Sequence, residues 1–128
     1  MTHSLANFMK SFFSHYLPVQ RGLSSNTIAS YRDAIRLILC FVAEQIKKSV
    51  DALDVEDITE TMVLEFLDFL QQQRGCSPQT RNARLAAIRS LFAFIARTQP
   101  ELLAQCQQIR AIPLKRTEHV SVDYLEED

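Results

Sequence analysis

The sequence has 128 residues, 47% of them hydrophobic, with only two glycines and four prolines, which bounds it to one domain able to bury a single core and argues against disorder. Its 14 basic and 15 acidic residues give a formal net charge of −1, short of the basic balance expected of a nucleic-acid binder. No apolar run reaches membrane-spanning length and no secretory leader is read, so a soluble, cytoplasmic protein is expected.

The first helix is predicted from about Ser4 to Tyr16, with Leu5, Phe8, Phe12 and Leu17 forming one apolar stripe, and with Pro18 and Gly22 interrupting it. A second begins after Ser24-Ser25 and carries Ile28, Tyr31, Ile35, Ile38, Leu39, Val42 and Ile46 at three- and four-residue steps, ending near Lys47-Lys48. The opposite side of its start presents Asn26, Thr27, Ser30, Asp33 and Arg36, a polar, short-chained surface. An acidic connector leads through Ile58 to Thr59, the predicted cap of a third helix that buries Met62, Val63, Phe66, Leu67, Phe69 and Leu70 and stops at Arg74-Gly75. Ser77-Pro78 pairs a serine cap with proline at the first helical position, the start of a fourth helix running to about Arg97, with Leu85, Ile88, Leu91, Phe92 and Ile95 facing inward. A shorter fifth helix is read over roughly Pro100 to Ile109, and after Pro113 the chain turns polar and basic, as in a linker. The fold class that follows is all-α, a bundle of four to five helices.

Charge is segregated along the chain. From Asp51 to Asp68 there are seven acids and no base; from Arg74 to Arg97 stand Arg74, Arg81, Arg84, Arg89 and Arg97 with no acid. This pattern allows an ion-paired contact between an acidic and a basic helix, a basic face for phosphates, or both. Within the fourth helix, Thr80, Arg84 and Ala87 fall in one narrow sector, with Gln79 and Arg81 flanking it at a helix start read as exposed. Small side chains admit a groove edge, threonine and a helix N-terminus can hold phosphate, and arginine can hold phosphate or guanine. Lys115 and Arg116 in the tail join this candidate DNA-binding set. Arg89 lies nearer the apolar side, where an ion pair with an acid of the third helix is favoured over DNA contact.

Catalytic constellations are missing: the sequence has no glycine-rich phosphate loop, no G-x-S-x-G and no H-E-x-x-H. Neither the three cysteines (Cys40, Cys76, Cys106) nor the histidines (His3, His15, His119) show disulfide or ligand spacing. No metal and no cofactor is expected, each cysteine is read as a buried or half-buried hydrophobe, and the odd, scattered set suits a reducing cytosol.

Three passages in order, Leu23 to Asp33 (LSSNTIASYRD), Val55 to Thr59 (VEDIT) and Ser77 to Phe92 (SPQTRNARLAAIRSLF), together resemble the N-terminal core-binding domain of the tyrosine recombinases, the lambda-integrase family. The likeness covers roughly Leu5 to Pro113 and is nearest to the chromosome-dimer-resolving and integron-like branches. It implies a SAM-like orthogonal helical bundle, one arm of a C-shaped clamp on double-stranded DNA, with the second and fourth helices against the major groove. Carried over by position, it implicates Asn26, Thr27, Ser30 and Arg36 on the second helix, and Gln79, Thr80, Ala83, Arg84 and Ala87 on the fourth. It also implies other recombinase protomers as partners, with Phe8, Phe12 and Phe13 left partly exposed for them unless they simply pack in the core.

The family's catalytic arginine, H-x-x-R motif and nucleophilic tyrosine lie C-terminal to this region. Residues 1–112 are accordingly expected to form the DNA-binding domain, and 113–128 a linker with the opening of a catalytic domain at Val120-Ser121-Val122-Asp123-Tyr124-Leu125, cut short. The chain is then expected to be an excised, non-catalytic fragment of a recombinase, monomeric alone. Two rival readings stay open: a helix-turn-helix regulator, which would bind a palindrome as a dimer, and a helical protein-interaction domain, which the low net charge suits.

Overall fold

A computed structural model describes residues 2–117; Tyr124 and the rest of the expected second-domain opening lie outside the described residues. The chain forms α1 (Leu5–Ser11), which continues as a π-helical segment (Phe12–Gln20), then α2 (Ser25–Ile46), α3 (Glu60–Gln72), α4 (Pro78–Thr98) and α5 (Leu103–Arg110). Short 3-10 turns at Val50–Ala52, Val55–Asp57 and Pro100–Leu102 join them. The only pairing of extended residues among those described is a single bridge between Ser4 and Asp54. The all-α expectation holds.

The helix starts are built as their sequences demand. Ser24, Thr59 and Ser77 each turn extended backbone into helix, and their hydroxyls accept from the amides of Thr27, Met62 and Thr80, satisfying donors that a first helical turn leaves without partners. Pro78 follows Ser77 at a position where a missing N–H costs nothing. Gly75 closes the α3–α4 turn at φ +67, which a side chain would strain.

Pro18 does not end the first helix as expected but lies inside its π-helical continuation. The wider π turn moves the preceding carbonyls away from the pyrrolidine ring, and the ladder resumes beyond it, with the Arg21 amide donating to the Tyr16 carbonyl at 2.8 Å. The chain stops only at Gly22, φ +62.

α4 is the central element, packed by α2, α3, α5 and the 3-10 turn before α5. Leu85, Ile88, Leu91, Phe92 and Ile95 are all at most 1% exposed, as their spacing predicts. Phe12 is fully buried, among Phe13, Tyr16 and Phe94 at centroid distances of 5.0, 5.8 and 5.6 Å. It belongs to the core, whereas Phe8 and Phe13 are half-buried. The cysteines divide: Cys106 is buried, with its thiol pushed up to about 11 by desolvation, Cys76 is half-buried, and Cys40 is exposed, against expectation.

The acidic connector is not a bare solvated run. Lys48 Nζ reaches Asp57 Oδ2 at 2.7 Å and Asp54 Oδ2 at 3.6 Å. The Asp57 hydrogen bond raises the Lys48 pKa; at Asp57 burial pushes upward but is outweighed by the Asp54 amide and Lys48, leaving its carboxyl lowered. No ion pair joins α3 to α4 among the described residues, and Arg89 has none there. The expected α3 partner for Arg89 is therefore not found; the connector acids pair locally instead.

His3 ties the N-terminus to two distant segments. Its Nδ1 lies 2.7 Å from Glu56 Oε2 and its Nε2 3.1 Å from Glu101 Oε2, while its backbone carbonyl accepts from Val55. The hydrogen bond to Glu56, then that to Glu101, raises the His3 pKa above its ordinary value. At Glu56 burial pushes upward, but His3 outweighs it and leaves the carboxyl lowered; at Glu101 its own amide, then His3, lowers it. A raised histidine stabilises the fold fully below its unfolded pKa, about 6.5, and that contribution is lost as pH rises through the folded value; lowered carboxylates stabilise above about 4.3 and lose it on acidification. The melting-temperature gap between the wild type and His3→Ala is expected to be widest between these limits and to shrink on either side. A gap that grew steadily above neutrality would refute the charged form of the clasp.

Candidate nucleic-acid interface

The N-terminal halves of α2 and α4 flank an open groove of ≈310 Å³ lined by Ser30, Ala34, Gln79, Thr80, Ala83 and Arg84. Both helices enter it through the same local device. Ser24 donates to Thr27 Oγ1 at 3.1 Å and Ser77 to Thr80 Oγ1 at 3.2 Å, while each serine oxygen accepts the corresponding threonine amide at 3.2 Å. Each start thus holds a threonine hydroxyl in a set position at the positive end of a helix of 21 or 22 residues.

Among the described residues the groove carries one guanidinium and no carboxylate. Arg84 is half-buried and forms no ion pair among the described residues; its Nε is buried with no hydrogen-bond partner. Ala83 is exposed and adds no bulk, so a ligand can approach the α4 backbone there. The acids held by Lys48 lie beyond the far end of α2, since Ser30 and Ile46 are separated by roughly 24 Å of helix axis at 1.5 Å per residue. A net charge of −1 is thereby compatible with a groove free of negative charge.

Five residues expected from sequence, Ser30, Gln79, Thr80, Ala83 and Arg84, are brought together here. Asn26 is exposed one turn before Ser30 on the same face of α2, and Thr27 is half-buried in the cap. Two expectations are corrected, and a third residue, Arg36, lies apart from the groove. Arg81 is not at an exposed flank but 6% exposed, with its pKa lowered by burial and its Nη1 donating to Pro113 O and Asn82 Oδ1. Ala87 is 1% exposed, because α4 is covered on several sides and its outward sector is narrower than the helical wheel suggests. Arg36 is exposed but lines a different groove, with Met9, Phe13 and Arg32, and pairs with Asp33 at 3.8 Å. Six residues of helix rotate it about 120° away from Ser30.

Lys115 and Arg116 are exposed, and the Lys115 backbone is bonded to Asn82 on α4. Asn82 is the residue that sequence reasoning passed over. Its signal was an asparagine in the interior of a long helix, where its intrinsic preference is poor. No group of three or more His, Cys, Asp or Glu side chains able to hold a metal occurs among the described residues, and no helix there is long and apolar enough to cross a membrane.

Fold and groove together define a small all-helical domain that presents two capped helix starts side by side. Residues 11–99 match the phage integrase N-terminal SAM-like domain, and the chain belongs to that family. Two proteins of Sinorhizobium fredii named as integrase/recombinases are similar to it. y4rD is 40% identical over 120 residues, covering 94% of this chain and 42% of that protein; y4rC is 41% identical over 122 residues, covering 95% and 37%. The tyrosine recombinase XerD of Oceanobacillus iheyensis is 27% identical over 129 residues, covering 86% and 42%. The chain therefore spans less than half the length of these curated relatives. No solved structure matches it.

Proposed function

We propose that this chain is the part of a site-specific tyrosine recombinase or integrase that grips duplex DNA, laying the N-terminal halves of α2 and α4 against it. Strand cleavage and rejoining would belong to the remainder of a full-length protein, and other copies of that protein would be its assembly partners. The observation that carries this reading is the α2–α4 groove, in which Ser30, Gln79, Thr80 and Arg84 converge without a carboxylate among the described residues. Hydroxyls, a carboxamide and a guanidinium are the groups that hold phosphate oxygens and base edges, and paired helix starts add a favourable dipole for phosphate. Asn26 would extend the contact along α2, and Lys115 and Arg116 would extend it beyond α4. Arg36, Arg81 and Ala87 are left out of the contact set because of where they lie.

The test is a fluorescence-anisotropy titration of the chain onto a short mixed-sequence duplex across a salt series. Binding should weaken with salt along a logarithmic slope equivalent to roughly three to six neutralised phosphates. Absence of salt-dependent binding, unrescued when the C-terminal remainder of a full-length relative is fused to the chain, would overturn the reading. A helical protein-interaction domain would then be the better account.

A further inference from the structure

We infer that Asn82 is a positioning residue: it clasps the chain where it leaves the bundle and thereby holds Lys115 and Arg116 in a set place on the α3 side of α4, across that helix from the α2–α4 groove. The inference rests on the DNA-binding reading above. Ile112, 3% exposed, is the last buried apolar residue described, and residues 113–116 are all exposed. Burial therefore cannot set their path, and ordering them costs backbone entropy that apolar contacts do not return. Directional polar contacts hold them instead.

Asn82 uses both ends of its carboxamide on a single residue. Its Nδ2 donates to the Lys115 carbonyl at 2.8 Å, and its Oδ1 accepts from the Lys115 amide at 2.9 Å. The side chain thus pairs with the tail as a neighbouring strand would, fixing direction as well as position. Arg81 reinforces it, since Nη1 spans Asn82 Oδ1 at 3.1 Å and the Pro113 carbonyl at 3.2 Å. This accounts for an arginine buried on α4 with no carboxylate partner among the described residues. From α3, Gln71 Oε1 accepts from Lys115 Nζ at 2.7 Å, which leaves two further ammonium hydrogens for another acceptor. At about 100° per residue Asn82 is turned away from Thr80, Ala83 and Arg84, and Lys115 reaches Gln71 of α3, so the clasped peptide lies on the α3 side of α4, across its exposed face from the groove.

The test joins two measurements on the full chain. Alanine is a better helix former than asparagine, so Asn82→Ala should leave α4 intact. In the free protein the Lys115 amide should be protected from hydrogen exchange, and Asn82→Ala should release it to the rate of an open chain while core amides stay protected. On a short mixed-sequence duplex, Asn82→Ala should lower the logarithmic salt slope by about one to two, at roughly 0.9 per phosphate lost. In a Lys115→Ala, Arg116→Ala background the same substitution should lower it no further, because the charges it positions are gone. An equal drop in both backgrounds would overturn the positioning role, as would an unchanged slope in Asn82→Ala. Lys115 protection that survives Asn82→Ala would overturn the clasp itself. Wild-type chain that fails to bind the duplex, even when fused to the remainder of a relative, would instead remove the DNA-binding reading, while the exchange result would still report on the clasp.

Discussion

Phe12→Ala is expected to destabilise the fold by about 3–5 kcal/mol, the range for truncating a fully buried phenylalanine. Phe12 has no solvent exposure and touches Phe13, Tyr16 and Phe94 through ring contacts of 5.0 to 5.8 Å. Its removal deletes apolar burial, opens a cavity, and breaks the edge-to-face and stacked contacts of the cluster. Tyr16 and Phe94, centroids 4.8 Å apart, cannot close that space without leaving one another. Against a total stability of roughly 5–15 kcal/mol for a domain of this kind, the loss should appear as a fall in melting temperature of about 10 °C or more. Phe13→Ala gives the contrast. Phe13 is half-buried, with the Arg32 guanidinium 5.2 Å over its ring, and should lose much less. Thermal melts of both variants decide between two uses of the first-helix phenylalanines. Equal, small losses would mean that Phe12 is not the wedge between the π-helical segment and α4. A large loss for Phe12 alone would leave Phe8 and Phe13 as the pair available for a partner.

What could be read from the sequence follows the range of the interactions involved. Caps and stops act within four residues, so Ser24, Thr59, Ser77-Pro78 and Gly75 marked their boundaries correctly. The inward faces of α3 and α4 followed from periodicity, because one side of an amphipathic helix must be buried. Pro18 was misread because a local rule assumes an α turn, whereas burial of Phe12, Tyr16 and Leu17 holds the chain in a wider helix through it. Ala87 and Arg81 were misjudged for a tertiary reason. A helix packed by several neighbours hides more of its circumference than one apolar stripe indicates, and which polar residue goes inside depends on whether a partner waits there. Arg81 finds the carbonyl of Pro113, 32 residues away, and His3 finds Glu56 and Glu101, 53 and 98 residues away. No local pattern announces such pairs. The groove itself was half legible: the short polar faces of both helix starts were visible, but their meeting was not.

Arg84→Ala should weaken duplex binding by about tenfold to a hundredfold, matching a loss of roughly 1–3 kcal/mol for an arginine contact to a base or phosphate. The melting temperature should hardly move. Arg84 has no ion-pair partner among the described residues, and its Nε is buried without a hydrogen bond, so truncation breaks no polar contact within the fold and removes only the packing of its stem. The form of the loss identifies what the guanidinium touches. A phosphate contact predicts uniform weakening across duplex sequences and a salt slope lower by about 0.9. A base contact predicts loss confined to preferred sequences, with the slope little changed. Arg84→Lys separates charge from shape, since lysine keeps the cation but lacks the planar fork: near-complete recovery points to phosphate, and poor recovery to a bidentate base contact. The neighbouring Arg36→Ala is the internal control, because that side chain opens onto another groove and is already paired with Asp33. Were Arg36→Ala to cost as much as Arg84→Ala, the contact surface would have to lie around the α1–α2 side of the bundle. Wild-type affinity and slope in Arg84→Ala would remove the α2–α4 groove from the interface altogether, because no other cation among the described residues lines it.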